Sequence, residues 1–298
     1  MKKEKSVFYK SSAAVAALFV LGNAVMVLPD KSADGFTLYG FVAAALTAIL
    51  LSIILIPTAR AVLSEGKAQS GIIKTVKCVF LVALTVYALF VAADVFSDFA
   101  AFVKYLILPE IPKWVITAVF GLVVVYFASK RQEDTLKFSL LCFCFTVIAV
   151  VFFFIAISGN FDSEYIIYDR MPNADEALNA TLPYLLKTAM PIVILPFYFR
   201  MVFEDNCKGA CIGGITAGFV LLCICMLSSI LLFSPALAGR LSYPYASAVS
   251  TVTVGKLFTR MDGFSYFVYF SAAVTKINVC LFVASDSLKR LNKTMSSR

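Results

Sequence analysis

The stretch Thr181-Leu182-Pro183-Tyr184-Leu185-Leu186-Lys187-Thr188-Ala189-Met190-Pro191-Ile192-Val193-Ile194-Leu195-Pro196-Phe197-Tyr198-Phe199-Arg200-Met201-Val202-Phe203 is apolar over a bilayer-spanning length and is broken at Met190-Pro191. Pro191 and Pro196 each remove a backbone donor, so a helix here is expected to kink. In hydrocarbon every freed N–H and C=O must find a protein or ligand partner, so a broken span usually surrounds something. A second apolar segment, Ser11–Leu28, is interrupted at Gly22-Asn23. The two are the first and sixth of the spans read below. Breaks that recur at corresponding positions in two halves are the sequence mark of a transporter-type binding site near the bilayer midplane.

Composition supports the membrane reading. Of 298 residues, 61% are hydrophobic and only 15% charged, well above the apolar share of a soluble domain. The net charge of +8 does not point to nucleic acid, because its distribution follows a different rule. Lys and Arg collect in alternate loops, around Lys2–Lys10, Arg60–Lys77, Lys130–Lys137, Arg200–Lys208 and Lys289–Arg298, whereas Asn160–Glu176 is mainly acidic. This is the positive-inside pattern, with both termini cytoplasmic and an even number of spans. The apolar segment after Met1-Lys2-Lys3-Glu4-Lys5 ends at Leu28-Pro29-Asp30 without a small-residue cleavage site, so it is read as a retained span.

Eight spans of about 20 residues are expected, at approximately Ser11–Leu28, Leu38–Ile56, Val76–Phe96, Trp114–Ala128, Phe138–Ile157, Thr181–Phe203, Ile212–Phe233 and Phe264–Ser285. Phe99–Leu108 is a further apolar stretch, and Pro109-Glu110-Ile111-Pro112 reads as a rigid external turn before the fourth span. Tyr243–Phe258, rich in Ser and Thr, reads as a short helix in the outer loop. The chain is one polytopic domain, residues 1–298, with a first repeat at about 11–157 and an incomplete second repeat at about 181–285. In an inverted-repeat arrangement, spans one, three, six and eight enclose the ligand.

The 8 cysteines lie mostly inside apolar segments and there is no histidine. No metal or other cofactor is expected, and the cysteines read as small buried hydrophobes. Enzyme templates fail: there is no Gly-rich phosphate loop, no Gly-x-Ser-x-Gly and no pair of membrane carboxylates spaced for acid–base work.

Candidate binding residues follow from cost and position. Lys276 lies about twelve residues into the last span, too deep to face lipid and too far from the end to snorkel easily. Its readings are a ligand or coupling-cation substitute, or an internal structural pair. Thr275 is its neighbour in a mixed polar patch, while Asn278 is expected on another face. Asp94, the carboxylate well inside a span, is expected to pair with Lys187, to receive a substrate amine, or to sit in interfacial water. Tyr87, two turns deeper, is a wall of the site or a packed aromatic. Gly22 and Asn23 allow close backbone approach, with freed N–H groups able to bind a carboxylate at a half-helix N-terminus. Thr188 and Pro191 supply the matching break.

The stretch Leu106-Ile107-Leu108-Pro109-Glu110-Ile111-Pro112-Lys113-Trp114-Val115-Ile116 resembles the "LLP-x-TP-x-x-VI" segment of spore germination permeases, the B subunits of GerA-type germinant receptors. Leu21-Gly22-Asn23 to Leu28-Pro29, Leu241-Ser242-Tyr243-Pro244 and Leu257-Phe258-Thr259-Arg260-Met261-Asp262 are similar to further family stretches, so the resemblance runs over essentially the whole chain. It implies an all-α integral membrane protein of the amino-acid/polyamine/organocation transporter superfamily, with a LeuT-like inverted-repeat fold. The family has ten spans, and about eight are read here, without the last two. Ile111 stands where the family has Thr, and Arg131-Gln132-Glu133-Asp134-Thr135-Leu136-Lys137 lacks the family's Arg. The resemblance also implies a small nutrient ligand such as an amino acid, an A-type membrane subunit and a C-type lipoprotein as partners, and the spore inner membrane as location. Two alternatives are an ion-coupled amino-acid or amine permease and a scaffold subunit without ligand.

Overall fold

Long runs of Leu, Val, Ala, Ile and Phe with few charges fold as helices, because a helix satisfies its own backbone groups where water is absent. The computed structural model describes residues 2–22, 38–63, 71–162, 175, 185–202, 208–238, 240–251 and 262–296. Its main elements are α1 (Lys2–Leu21), α2 (Leu38–Leu63), α3 (Gly71–Phe102), α4 (Lys113–Ser129), α5 (Gln132–Ile157), α6 (Ile194–Val202), α7 (Lys208–Phe233), α8 (Pro244–Ser250) and α9 (Asp262–Ser296). Four stretches are long and apolar enough to cross a membrane: Lys74–Ile107, Gln132–Asn160, Lys208–Phe233 and Gly263–Thr294. Shorter apolar helices occupy Tyr9–Leu21, Ala45–Ala59, Lys113–Ser129 and Pro191–Val202. Each expected span overlaps one of these stretches.

The last helix is the axis of the bundle. Of its most apolar stretch 78% is buried, against 33–56% for the other three long helices, and it packs most extensively on α3, then on α1, α5, α6 and α4. The outer faces of α2 and α3 carry exposed Leu50, Ile54, Val79, Val86 and Phe90, as a lipid-facing surface requires. The pair α1–α7 is held at close range by small residues. A Cβ on Gly214 would run into the Ala13 carbonyl and lie 2.6 Å from the Ala16 Cβ, and one on Gly218 would lie 2.8 Å from both the Ala17 carbonyl and the Val20 Cβ. Glycine at these two positions brings the backbones together, as small-xxx-small spacing does in membrane helices.

The region expected to hold a separate apolar piece before the external turn is instead continuous with α3. The helix passes through a π turn at Val103–Ile107, which the Leu108 N–H closes on the Val103 carbonyl at 2.9 Å. Lys104, thrown outward by that turn, donates to the carbonyls of Pro109 and Ile111. Proline brings no N–H of its own, so a lysine tying the carbonyls is what fastens Pro109-Glu110-Ile111-Pro112 to the helix end. The expected short helix is α8; it is packed inward, with Tyr245, Ala246, Ala248 and Val249 buried, and residues 252–258 lie outside the described residues.

Candidate functional site

Helix α1 ends where the sequence breaks. Its last residue is Leu21, and the Gly22 N–H closes the final turn on the Leu18 carbonyl at 2.9 Å. Asn23 lies outside the described residues. Because this is a C-terminal end, the groups left open on the described side are carbonyls and the dipole is negative. The expectation of freed N–H groups for a carboxylate therefore does not apply to this half of the break. A cation is what such an end attracts.

The cation is Lys276. Its side chain is 1% exposed, its ammonium stands 5.2 Å from the centre of the Phe19 ring, and its stem lies under Gly22. A Cβ at Gly22 would collide with the Lys276 Cδ and sit 3.2 Å from Nζ. The glycine is thus required by a side chain from another helix. Lys276 also lies within electrostatic reach of Cys280, Asp94 and Asp98, so its charge is felt by α3 as well as by the Phe19 ring of α1.

Tyr87 and Asp94 both lie on α3, the helix packed against α9. Tyr87 is half-buried and faces Cys280; Asp94 is exposed at the rim of the α3–α9 contact, and Asp98 one turn on is half-buried. The second break is present in an unusual form. A π turn spans Leu185–Ala189, a 3₁₀ turn spans Pro191–Val193, and α6 starts at Ile194. The Met190 N–H reaches back to the Leu185 carbonyl at 2.9 Å, and Val193 N–H to Met190 O at 3.2 Å. Pro191 sits at the first position of its turn, where a missing N–H costs nothing. Thr188 and Pro191 are buried, but their turns pack mainly on α2. Gly22, Lys276, Tyr87 and Asp94 are thus gathered around α9, while Thr188 and Pro191 stand on the α2 side.

Helix α5 contributes a polar stripe that sequence reasoning passed over. Gln132 accepts from the Tyr198 hydroxyl at 3.2 Å, Thr135 accepts from Asn278 Nδ2 at 3.2 Å, and Ser139 pairs with Thr275 at 3.4 Å. Asn278 and Thr275 therefore share one face of α9, three residues apart, and Lys276 points to another. The signal was present: Gln132, Thr135, Ser139, Cys142 and Thr146 recur at three- and four-residue spacing in a helix that is mainly apolar beyond Lys137. No group of His, Cys, Asp and Glu that could hold a metal occurs among the described residues. Two cavities, of about 300 and 280 Å³, lie at the α4–α5 turn, one beside Lys130 and Asp134 and the other beside Gln132 and Phe282. Neither is lined by Gly22 or Lys276.

Long apolar helices packed around a buried lysine are consistent with an integral membrane protein. The family model described as spore germination protein matches residues 14–298, and the chain belongs to that family. No curated protein matches it.

Proposed function

We propose that the chain is the membrane subunit of a spore germinant receptor that binds a small nutrient such as an amino acid at the Gly22 break and triggers germination. The observation that supports this best is the Lys276 ammonium set under Gly22 at the carbonyl end of α1. In a LeuT-like fold such a helix end holds a coupling cation together with the ligand; here a fixed ammonium supplies the charge. A chain carrying its own cation needs no ion gradient to organise the site, which suits a sensor. Since the Lys276 stem fills the space beside Gly22, ligand entry requires α1 and α9 to part slightly, and that displacement is the signal passed to partners. Those partners are an A-type membrane subunit and a C-type lipoprotein in the spore inner membrane.

A second reading, a secondary amino-acid or amine permease, draws on the same lysine, which would take up and release a proton in place of a metal cation. The deciding experiment is a nutrient dose–response for germination with Gly22→Leu and Pro191→Ala, beside radiolabelled uptake in proteoliposomes. Gly22→Leu should shift the response more than tenfold at normal protein level. Concentrative uptake would favour the permease, and an unchanged response in both variants would remove the site from this place.

A further inference from the structure

Helix α4 ends at Ser129 and α5 starts at Gln132, and the two residues between them, Lys130 and Arg131, are both extended, with ψ of 160° and 146°. Successive extended residues point their side chains to opposite sides. Lys130 accordingly lines one of the two cavities at this turn and Arg131 the other. The first turn of α5 divides in the same way, with Asp134 on the cavity of Lys130 and Glu133 on that of Arg131. Each cavity thus has one cation and one anion in its wall. The Lys130 cavity, about 300 Å³, is completed by Tyr126, Phe127, Thr135 and Phe138. The Lys130 ammonium is held 4.6 Å from the centre of the Tyr126 ring, and the Phe127 and Phe138 rings meet at 4.7 Å. Lys130 and Asp134 are both exposed, and among the described residues they form no ion pair with each other.

The place of this cavity decides its occupant. Leu122, Val125 and Tyr126 of α4 are exposed apolar surface, and at Lys130 that surface gives way to charge, as it does at the level of phospholipid headgroups. Pockets between membrane helices with a basic residue at that level take lipid headgroups. An anionic headgroup would suit Lys130 but bring a further negative charge toward Asp134. A choline headgroup ends in a quaternary nitrogen, which has no N–H to donate to the carboxylate. An ethanolamine headgroup carries a phosphate and, two carbons away, a primary ammonium with three donors, so it answers both charges at once. We propose that the Lys130–Asp134 cavity binds phosphatidylethanolamine, with the phosphate on Lys130, the ammonium on Asp134 and the start of the acyl chains on the Phe127 and Phe138 rings. A lipid seated there braces α5 against the axial helix, because Thr135, in the wall of the cavity, accepts from Asn278 of α9 at 3.2 Å.

None of these residues belongs to the nutrient site, and the test reads the lipid without any nutrient. The melting temperature of the full chain in detergent micelles is followed as dioleoyl phosphatidylethanolamine, phosphatidylcholine or phosphatidylglycerol is added, and the concentration dependence yields an apparent Kd for each. The ethanolamine lipid should stabilise saturably and bind about tenfold more tightly than the other two, the difference made by one hydrogen bond to a charged group. Asp134→Asn should erase the preference over phosphatidylcholine, since the carboxylate is what reads the ammonium. Lys130→Met should weaken all three, whereas Lys130→Arg keeps the phosphate contact and the binding. Both side chains are exposed, so these changes should leave the melting temperature without lipid as it was; counting bound lipids by native mass spectrometry repeats the comparison without melting. Equal stabilisation by the three lipids, no saturation, or an undiminished preference in Asp134→Asn would each overturn the proposal. So would equal stabilisation by soluble phosphoethanolamine, which would mark a headgroup site with no lipid in it.

Discussion

Lys276 is the residue whose environment says most about this chain. A charge at the bilayer centre is costly by about 2.5–3.5 kcal/mol even on lenient insertion scales, and here the Phe19 ring and the α3 carboxylates offset part of it. Lys276→Met removes the charge together with its cost, so the variant is expected to insert and fold as well as the parent. Nutrient response or equilibrium nutrient binding should nevertheless be abolished. A normal dose–response in Lys276→Met would return the lysine to a purely structural role. Phe19→Leu tests the ring contact separately: a cation–π interaction of about 0.5–2 kcal/mol would be lost, and the melting temperature in micelles should fall while Lys276→Met, Phe19→Leu together should fall no further than Phe19→Leu alone, apart from the small packing change.

At the scale of elements, two devices set the helix arrangement. The α1–α7 contact depends on having no side chain at Gly214, where the opposing atoms are Ala13 backbone and Ala16 Cβ, neither of which can swing aside. Gly214→Leu should therefore separate the helices and destabilise the chain by at least the 1–3 kcal/mol of ordinary overpacking, measured as a lower midpoint in denaturant. The corresponding change at Gly213, where nothing lies within 4 Å, should have little effect and makes the control. In the second device, the π and 3₁₀ turns at Leu185–Val193 persist because Pro191 cannot donate to a regular ladder. Pro191→Ala restores that donor and should let the segment regularise, altering nutrient sensitivity more than protein level.

For the whole molecule, the axial position of α9 explains why candidate residues from α1 and α3 gather around it. It touches α1, α3, α5 and α6, so a small shift of α9 is felt by every candidate site residue around it. Orientation in the membrane is expected from the alternating basic loops, with both termini cytoplasmic. A cysteine introduced by Ser163→Cys should react with an impermeant thiol reagent from the outside; labelling solely from the cytoplasmic face would invert the arrangement.

The helical class, the apolar helical stretches and the interruption at Met190-Pro191 were legible in the sequence, because hydrocarbon leaves few backbone solutions and because Pro acts locally. Lys276, too, was legible as a site candidate, since an ionisable residue that deep has few bland explanations. What lay beside it was not. That Lys276 faces Gly22 joins residues more than 250 positions apart, and no local rule connects them. Thr135 and Ser139 acquire meaning only when α5 is laid against Asn278 and Thr275. Likewise the sequence placed Thr188 and Pro191 with Gly22 by analogy of position, whereas packing set their turns against α2. Periodicity and hydropathy specify which face of a helix is buried, but the partner of that face is decided by shape and charge complementarity between distant segments, and that exists only once the bundle has closed.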